Sequence, residues 1–138
     1  MKRKAARALL LLAVLGACGR GEPEEPTPRA ELVGVWDLVS VNGAALPTPS
    51  PEEQSVLLES VTMTLEASGA YTLASSFRVA DQATPQSMTI RGTWVADDDA
   101  LTFETEQGPA IVMFGYRMDG ELLRMVDEQQ HEWAMQRR

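Results

Sequence analysis

The sequence is poor in the residues that cross-link a small protein or give it reactive side chains. Its 138 residues include one cysteine and one histidine, so neither an internal disulfide nor a pair of imidazoles is available. After the first 18 residues, no segment approaches the roughly 18 consecutive apolar residues of a membrane-spanning helix. The fold must therefore rest on packing and strand pairing. Zinc or nucleophilic chemistry based on histidine has no second partner.

Basic residues are also scarce beyond the start of the chain. Four of the twelve lysines and arginines occupy the first seven positions, which leaves eight arginines against twenty acids and a net charge of −12 for the rest. Such a surface repels nucleic-acid phosphates and anionic lipid headgroups. We therefore expect no nucleic-acid partner and no basic patch that would hold the protein against a membrane.

The first 18 residues have the order of a secretory leader. Basic residues between Lys2 and Arg7 precede an apolar run from Ala8 to Val14, and the segment Leu15-Gly16-Ala17-Cys18 follows. The apolar run is too short to span about 30 Å of hydrocarbon as a stable helix. Residues 1–17 are therefore predicted to be a removable signal peptide.

The segment Leu15-Gly16-Ala17-Cys18 resembles the bacterial lipobox, whose cysteine becomes the lipidated first residue of the mature protein. This resemblance implies a membrane anchor at Cys18, because two or more buried acyl chains give stable attachment. Gly19 follows in place of an aspartate, which in enterobacterial lipoproteins favours the outer membrane. The expected location is the bacterial cell envelope, with the lipid-anchored chain facing the periplasm or the cell surface.

The lipidated cysteine begins a tether, predicted over residues 18–30. Three prolines and three glutamates lie between Gly19 and Ala30, a composition that favours extended, solvated chain. A fully extended tether of this kind would reach on the order of 35 Å at about 3.1 Å per residue. The domain that follows is therefore expected to stand away from the lipid surface.

From Glu31 onward apolar and polar residues alternate with period two, which predicts a single all-β domain over residues 31–138. Turn signals, among them the hairpin signal Asp119-Gly120, divide it into eight strands, at residues 32–41, 57–67, 70–79, 87–96, 100–106, 110–118, 121–127 and 131–137. The first connection, residues 44–54, is rich in proline and predicts one short helical turn from Ser50. In the sixth strand, the alternation places Val112, Phe114 and Tyr116 on one face.

The connections after the first loop are short, as in an antiparallel meander. An open eight-stranded meander would leave two edges unpaired, and closure into an up-and-down barrel removes both. Two packed sheets with crossing connections remain an alternative, although short connections allow few crossings. In the barrel, strands 32–41 and 131–137 are neighbours.

The domain resembles bacterial lipocalin-like domains. The likeness lies in Gly34-Val-Trp36 near the domain's start, in Val41-Asn-Gly43, and in Gly92-Thr-Trp94 followed by Leu101-Thr-Phe103. In that family the tryptophan lies across the closed end of an eight-stranded barrel and an arginine near the C-terminus packs over it. The resemblance implies that Gly34, Trp36 and Arg137 close the barrel here, with Arg137 touching Trp36.

Residues suited to catalysis or metal binding are few. The single histidine, His131, lies beside acids at a strand start, which is typical of a solvated turn. Asp97-Asp98-Asp99 lacks the alternating acidic spacing of a calcium loop. We therefore expect no enzyme activity, no metal and no cofactor.

Two functional classes fit these features. The first is a monomeric barrel that binds a small apolar or amphipathic molecule, in a pocket at the open end of the barrel. Its candidate ligand-binding residues are Tyr71, Phe77, Met88, Phe114 and Tyr116. The second is a barrel with a filled core that acts as an interaction, inhibitor or assembly module in the envelope, through Trp94 and the loop 44–54.

Overall fold

A computed structural model describes residues 29–138. The predicted signal peptide, the lipobox, Cys18 and most of the tether lie outside the described residues. Arg29 and Ala30, the last two residues of the predicted tether, already belong to the folded part, because Ala30 starts a 3-10 turn over Ala30–Leu32. Between residues 29 and 138, no helix has the length and apolar character needed to cross a bilayer.

The described residues form an all-β fold in which the period-two segments become strands. Their bounds are β1 Gly34–Val41, β2 Ala44–Ala45, β3 Thr48–Pro49, β4 Val56–Leu65, β5 Ala70–Val79, β6 Gln86–Ala96, β7 Ala100–Thr105, β8 Ile111–Phe114, β9 Tyr116–Asp119, β10 Leu122–Val126 and β11 Glu132–Arg137. Hairpin turns with glycine at positive φ join several of them, as at Gly69 and Gly120.

All of these strands belong to one antiparallel sheet. The main order is β8-β7-β6-β5-β4-β1-β11-β10-β9, while β2 pairs with β1 and β3 with β4. The predicted neighbourhood of the first and last long strands is confirmed, since β1 lies against β11 with Trp36 opposite Arg137. The chain termini of the domain are therefore joined by backbone hydrogen bonds.

The two ends of this order, β8 and β9, are consecutive halves of one segment that bends at Gly115. Gly115 has a φ of +75°, its N–H donates to the Asp99 carbonyl at 2.7 Å, and its own carbonyl accepts from the Val126 N–H at 3.2 Å. The segment pairs with β7 before the glycine and with β10 after it. The sheet is thereby nearly closed into a barrel.

The predicted number of strands, eight, is wrong. The sheet has nine strands along its main order and eleven in all, because the break at Gly115 divides one predicted strand and because β2 and β3 pair within the predicted loop. The helical turn predicted from Ser50 is also wrong. Instead, Thr48 and Pro49 pair with β4, and the Ser50 N–H donates to the Val56 carbonyl at 2.7 Å.

The inward face of the sheet carries the core. Its fully buried side chains include Leu32, Trp36, Leu65, Trp94, Leu101 and Leu123. The shared face predicted for Val112, Phe114 and Tyr116 is wrong at Tyr116. Val112 and Phe114 do share a face of β8, but the bend at Gly115 shifts the alternation before Tyr116. Phe114 is 50% exposed, whereas Met113 and Tyr116 pack against the core from either side of the bend.

Candidate ligand-binding cavity

One end of the barrel-like sheet is closed by the contact between Trp36 and Arg137. The Trp36 ring is fully buried, and its Nε1–H donates to the Leu32 carbonyl at 2.9 Å. The guanidinium carbon of Arg137 lies 4.3 Å from the centre of that ring, and its Nη1 donates to the Val33 carbonyl at 2.9 Å. Its Nε lies 3.2 Å from a carboxylate oxygen of Glu121. The contact expected between Trp36 and Arg137 is therefore present.

Gly34 completes this closed end. Its φ is +147°, and a Cβ built there would lie 2.8 Å from Nη1 of Arg137. Residues other than glycine rarely adopt such a φ. The Arg137 guanidinium also fills the space that a side chain at position 34 would need. This explains the pairing of Gly34 with Trp36: only a residue without a side chain leaves room for the Arg137 guanidinium that packs on the tryptophan ring.

A partly open cavity of about 390 Å³ lies inside the sheet, towards the other end. This volume is at the small end of the range for ligand pockets, about 300–1,000 Å³. The lining is mostly apolar and draws on almost every long strand. Its apolar and aromatic members are Leu38, Leu58, Val61, Met63, Tyr71, Leu73, Met88, Phe103, Ala110, Ile111, Val112, Met113, Met125, Trp133 and Met135.

The mouth of the cavity is built from two connections that are far apart in sequence. Ser50 and Glu52 come from the segment between β3 and β4, and residues 127–129 from the segment between β10 and β11. The second segment lies at the C-terminal end of β1, where the Asn42 N–H donates to the Glu132 carbonyl at 2.8 Å. Gly34 and the closed end lie at the opposite end of β1.

Asp127 holds the mouth segment and Trp133 in place. One carboxylate oxygen accepts hydrogen bonds from the backbone N–H groups of Gln129 at 3.0 Å and His131 at 2.9 Å. The other accepts from Nε1–H of Trp133 at 2.9 Å. Asp127 is buried, so these three donors replace the water that its charge would otherwise need. Trp133 is thereby oriented in the cavity wall.

Tyr71 brings a buried hydroxyl to the cavity wall. The side chain is 3% exposed and packs edge-on against Phe103, with ring centres 5.1 Å apart. Within residues 29–138 its hydroxyl has no protein hydrogen-bond partner. The same burial raises the pKa of Tyr71, so the phenol stays neutral at physiological pH.

The five predicted ligand-binding residues are only partly brought together. Tyr71 and Met88 line the cavity, whereas Phe77, Phe114 and Tyr116 do not. Phe77 lies two residues beyond the lining residue Ser75 on the same strand. Phe114 lies on the outward face of β8, opposite Ala100 of β7. The Tyr116 hydroxyl donates to the Asp97 carbonyl at 2.7 Å. The cavity therefore shares only Tyr71 and Met88 with the predicted set of five.

The sequence-based prediction missed the polar residues at the cavity mouth and misjudged which residues of β8 point inward. Ile111 and Met113 line the cavity in place of Phe114, and the glycine directly after Phe114 is the sequence signal that would have indicated a bend. Glu52, Glu128 and Gln129 carry no such signal, because polar residues in loops are the ordinary case. Their position depends on how the two connections fold over the barrel end.

The remaining reactive side chains serve local structure. Asp97 accepts hydrogen bonds from the backbone N–H groups of Asp99 and Ala100 at 2.8 and 2.7 Å, which lower its pKa and fix the turn before β7. His131 lies 3.2 Å from the side-chain amide nitrogen of Asn42. In the described part of the chain, no group of three or more His, Cys, Asp or Glu residues is arranged to hold a metal ion.

Comparison with known proteins adds no family assignment. No protein-family model, no curated protein and no solved structure matches this chain. The function therefore has to be inferred from the cavity and from the sequence itself.

Proposed function

We propose that this chain is a lipid-anchored protein of the bacterial cell envelope whose lipocalin-like domain binds a small apolar or amphipathic molecule without catalysis. The cavity of about 390 Å³ carries the proposal. A cavity of this size lined by aliphatic, thioether and aromatic side chains favours an apolar body of modest size. Five of the seven methionines contribute to the lining, and their flexible thioethers adapt to ligands of different shape.

The assignment to a lipocalin-like domain rests on the closed end. Gly34, Trp36 and Arg137 form one packed unit at the start of β1 and the end of β11. The nearly closed antiparallel sheet then leaves the opposite end for a mouth. A barrel closed at one end and open at the other suits capture and release of a ligand.

The second hypothesis, an interaction module, requires a filled core. The cavity favours the ligand-binding class over it. Trp94, its suspected contact residue, is 1% exposed and donates from Nε1 to the Glu66 carbonyl at 3.0 Å, so it is not on the outer face.

Binding is tested with the fragment of residues 29–138 and a neutral dye, N-phenyl-1-naphthylamine, whose emission rises in apolar surroundings. We expect a saturable rise at micromolar protein concentration. Ser75 lies on the inward face opposite Val61 and Met88, and Ser75→Phe should fill the cavity and abolish the rise. Ser76→Phe is the matched control, since Ser76 points to the other face opposite Ser60 and Ser87.

The two serine variants separate the possible outcomes. Equal dye emission in Ser75→Phe and the unaltered fragment, with both folded by far-UV circular dichroism, would place the dye outside the cavity. No saturable emission from the unaltered fragment would contradict the ligand-binding proposal.

The anchor is tested separately in cells. Cys18 is the one residue in the sequence that can take the lipobox modification, so Cys18→Ala should abolish incorporation of labelled palmitate and release the protein from the membrane fraction. Palmitate labelling that survives in Cys18→Ala would overturn the lipoprotein proposal. It would leave the cavity and its ligand untouched.

A further inference from the structure

The charged residues that line the cavity are all acidic. They are Glu52, Asp127 and Glu128, and the described part of the lining includes no lysine, arginine or histidine. An anionic group that enters here meets charge of its own sign and leaves water without gaining a basic partner. A cationic group meets the opposite sign.

The three acids differ in what they already bind. Asp127 is buried and accepts the three hydrogen bonds described above. Glu52 and Glu128 are exposed, and in residues 29–138 neither forms an ion pair with a basic side chain. These two carboxylates are therefore the ones left to meet a charged ligand group at the mouth.

Trp133 adds a second attraction for a cation. Its indole is half-buried in the cavity wall and is oriented by the bond from Nε1 to Asp127. Indole faces attract ammonium groups, and quaternary ammonium ligands in particular. Met125 lies opposite Trp133 on the neighbouring strand β10, and Met135 follows it two residues later on β11. These two methionines supply the adjoining apolar surface.

We propose that the cavity selects cationic amphiphiles, an inference that rests on the proposed ligand-binding function. The apolar body of the ligand would lie on the methionine lining, and its positive group at the mouth beside Glu52, Glu128 and Trp133. Fatty acids and other anionic amphiphiles are then poor ligands. Outside the predicted signal peptide, the chain has a net negative charge. This charge attracts cationic ligands and repels anionic ones over longer distances.

The test uses the full-length lipidated protein in phosphatidylcholine vesicles, which carry no net charge, with empty vesicles as background. Three ligands share an octyl chain: octyltrimethylammonium, 1-octanol and octanesulfonate. Binding is followed by tryptophan emission, because Trp133 lines the cavity while Trp36 and Trp94 are buried elsewhere. We expect octyltrimethylammonium to bind about tenfold or more tightly than octanesulfonate at low salt, with 1-octanol between them.

The double variant Glu52→Gln/Glu128→Gln should reduce the preference for the ammonium ligand over octanesulfonate roughly 3- to 10-fold and change 1-octanol binding less than ammonium binding. The matched control is Glu66→Gln/Asp119→Asn, which removes two exposed carboxylates at the closed end of the barrel. We expect it to change the preference by less than about twofold. Trp133→Leu should lower the affinity for octyltrimethylammonium more than the affinity for 1-octanol.

Each result decides between the two proposals. Equal affinity for the ammonium and sulfonate ligands, or equal effects of the mouth variant and its control, would overturn the charge selection while the ligand-binding function stands. Binding of none of the three octyl ligands would contradict both. A preference that weakens with added salt and with the mouth variant supports the proposal.

Discussion

The guanidinium of Arg137 lies 4.3 Å above the centre of the Trp36 ring, and the two residues are also direct partners across β1 and β11. One contact therefore joins the first and last long strands of the domain through both backbone and side chains. The same guanidinium donates to the Val33 carbonyl and reaches the Glu31 carbonyl. The closed end of the sheet thus depends on Arg137, the last residue of β11.

Replacing Arg137 with Ala should destabilise the domain by about 2–3 kcal/mol, because a cation–π contact and the hydrogen bonds to the Val33 and Glu31 carbonyls are lost together. The free energy of unfolding in urea measures this. Arg91→Ala, an exposed arginine on β6, is the control and should change it by less than about 0.5 kcal/mol. Equal losses in the two variants would mean that the closed end contributes nothing special.

Gly34→Ala should cost more than Gly43→Ala, although both glycines have positive φ. A Cβ at Gly43 meets open space, so that variant carries only the cost of backbone strain, about 1–2 kcal/mol. At Gly34 the Cβ also meets Nη1 of Arg137 at 2.8 Å. In the background of Arg137→Ala, the extra cost of Gly34→Ala should shrink, and a double-mutant cycle measures this coupling.

The two tyrosines should respond in opposite directions when their hydroxyls are removed. Tyr71→Phe removes a buried hydroxyl that has no partner in residues 29–138, so stability should stay the same or rise by about 1 kcal/mol. Tyr116→Phe loses the hydrogen bond to the Asp97 carbonyl and should cost about 0.5–1.5 kcal/mol. Thermal unfolding of both variants in the same buffer provides the comparison.

Asp37 should make part of the stability depend on acid pH. Hydrogen bonds from Arg138 to both carboxylate oxygens, at 2.7 and 3.0 Å, and a further bond from Thr62, hold its pKa below the ordinary value of 3.8. The folded state therefore binds fewer protons than the unfolded state in acid, and this contribution is present above pH 3.8 and lost as the pH falls through the folded pKa.

Asp37→Asn should accordingly lower the unfolding temperature by a few degrees at pH 7, with a difference that fades below pH 3.8. Asp119→Asn, an exposed carboxylate in the β9–β10 hairpin, is the matched control and should leave the unfolding temperature nearly unchanged. A difference for Asp37→Asn that persists undiminished at pH 2.5 would show that the ionised carboxylate is not its source.

Local sequence was sufficient where local chemistry decides the conformation. The alternation around Met63 and Leu65 and the Asp119-Gly120 turn predicted strands and a hairpin that the structure contains. The pairing of Trp36 with Arg137 was predictable from their positions on the first and last strands, because closure makes those strands neighbours. The predicted alternation failed between Phe114 and Tyr116, because the positive φ of Gly115 puts these two residues on opposite faces of the sheet.

The sequence by itself determined the all-β class and which face of most strands points inward, because these depend on hydrophobic period and turn residues. Only the tertiary structure decided the near closure of the sheet at Gly115 and the lining of the cavity. Glu52 and Glu128 lie 76 positions apart in the sequence and both line the cavity because the sheet brings the two connections to one end. Such a meeting depends on strand pairings distant in sequence, whose energies no local pattern encodes.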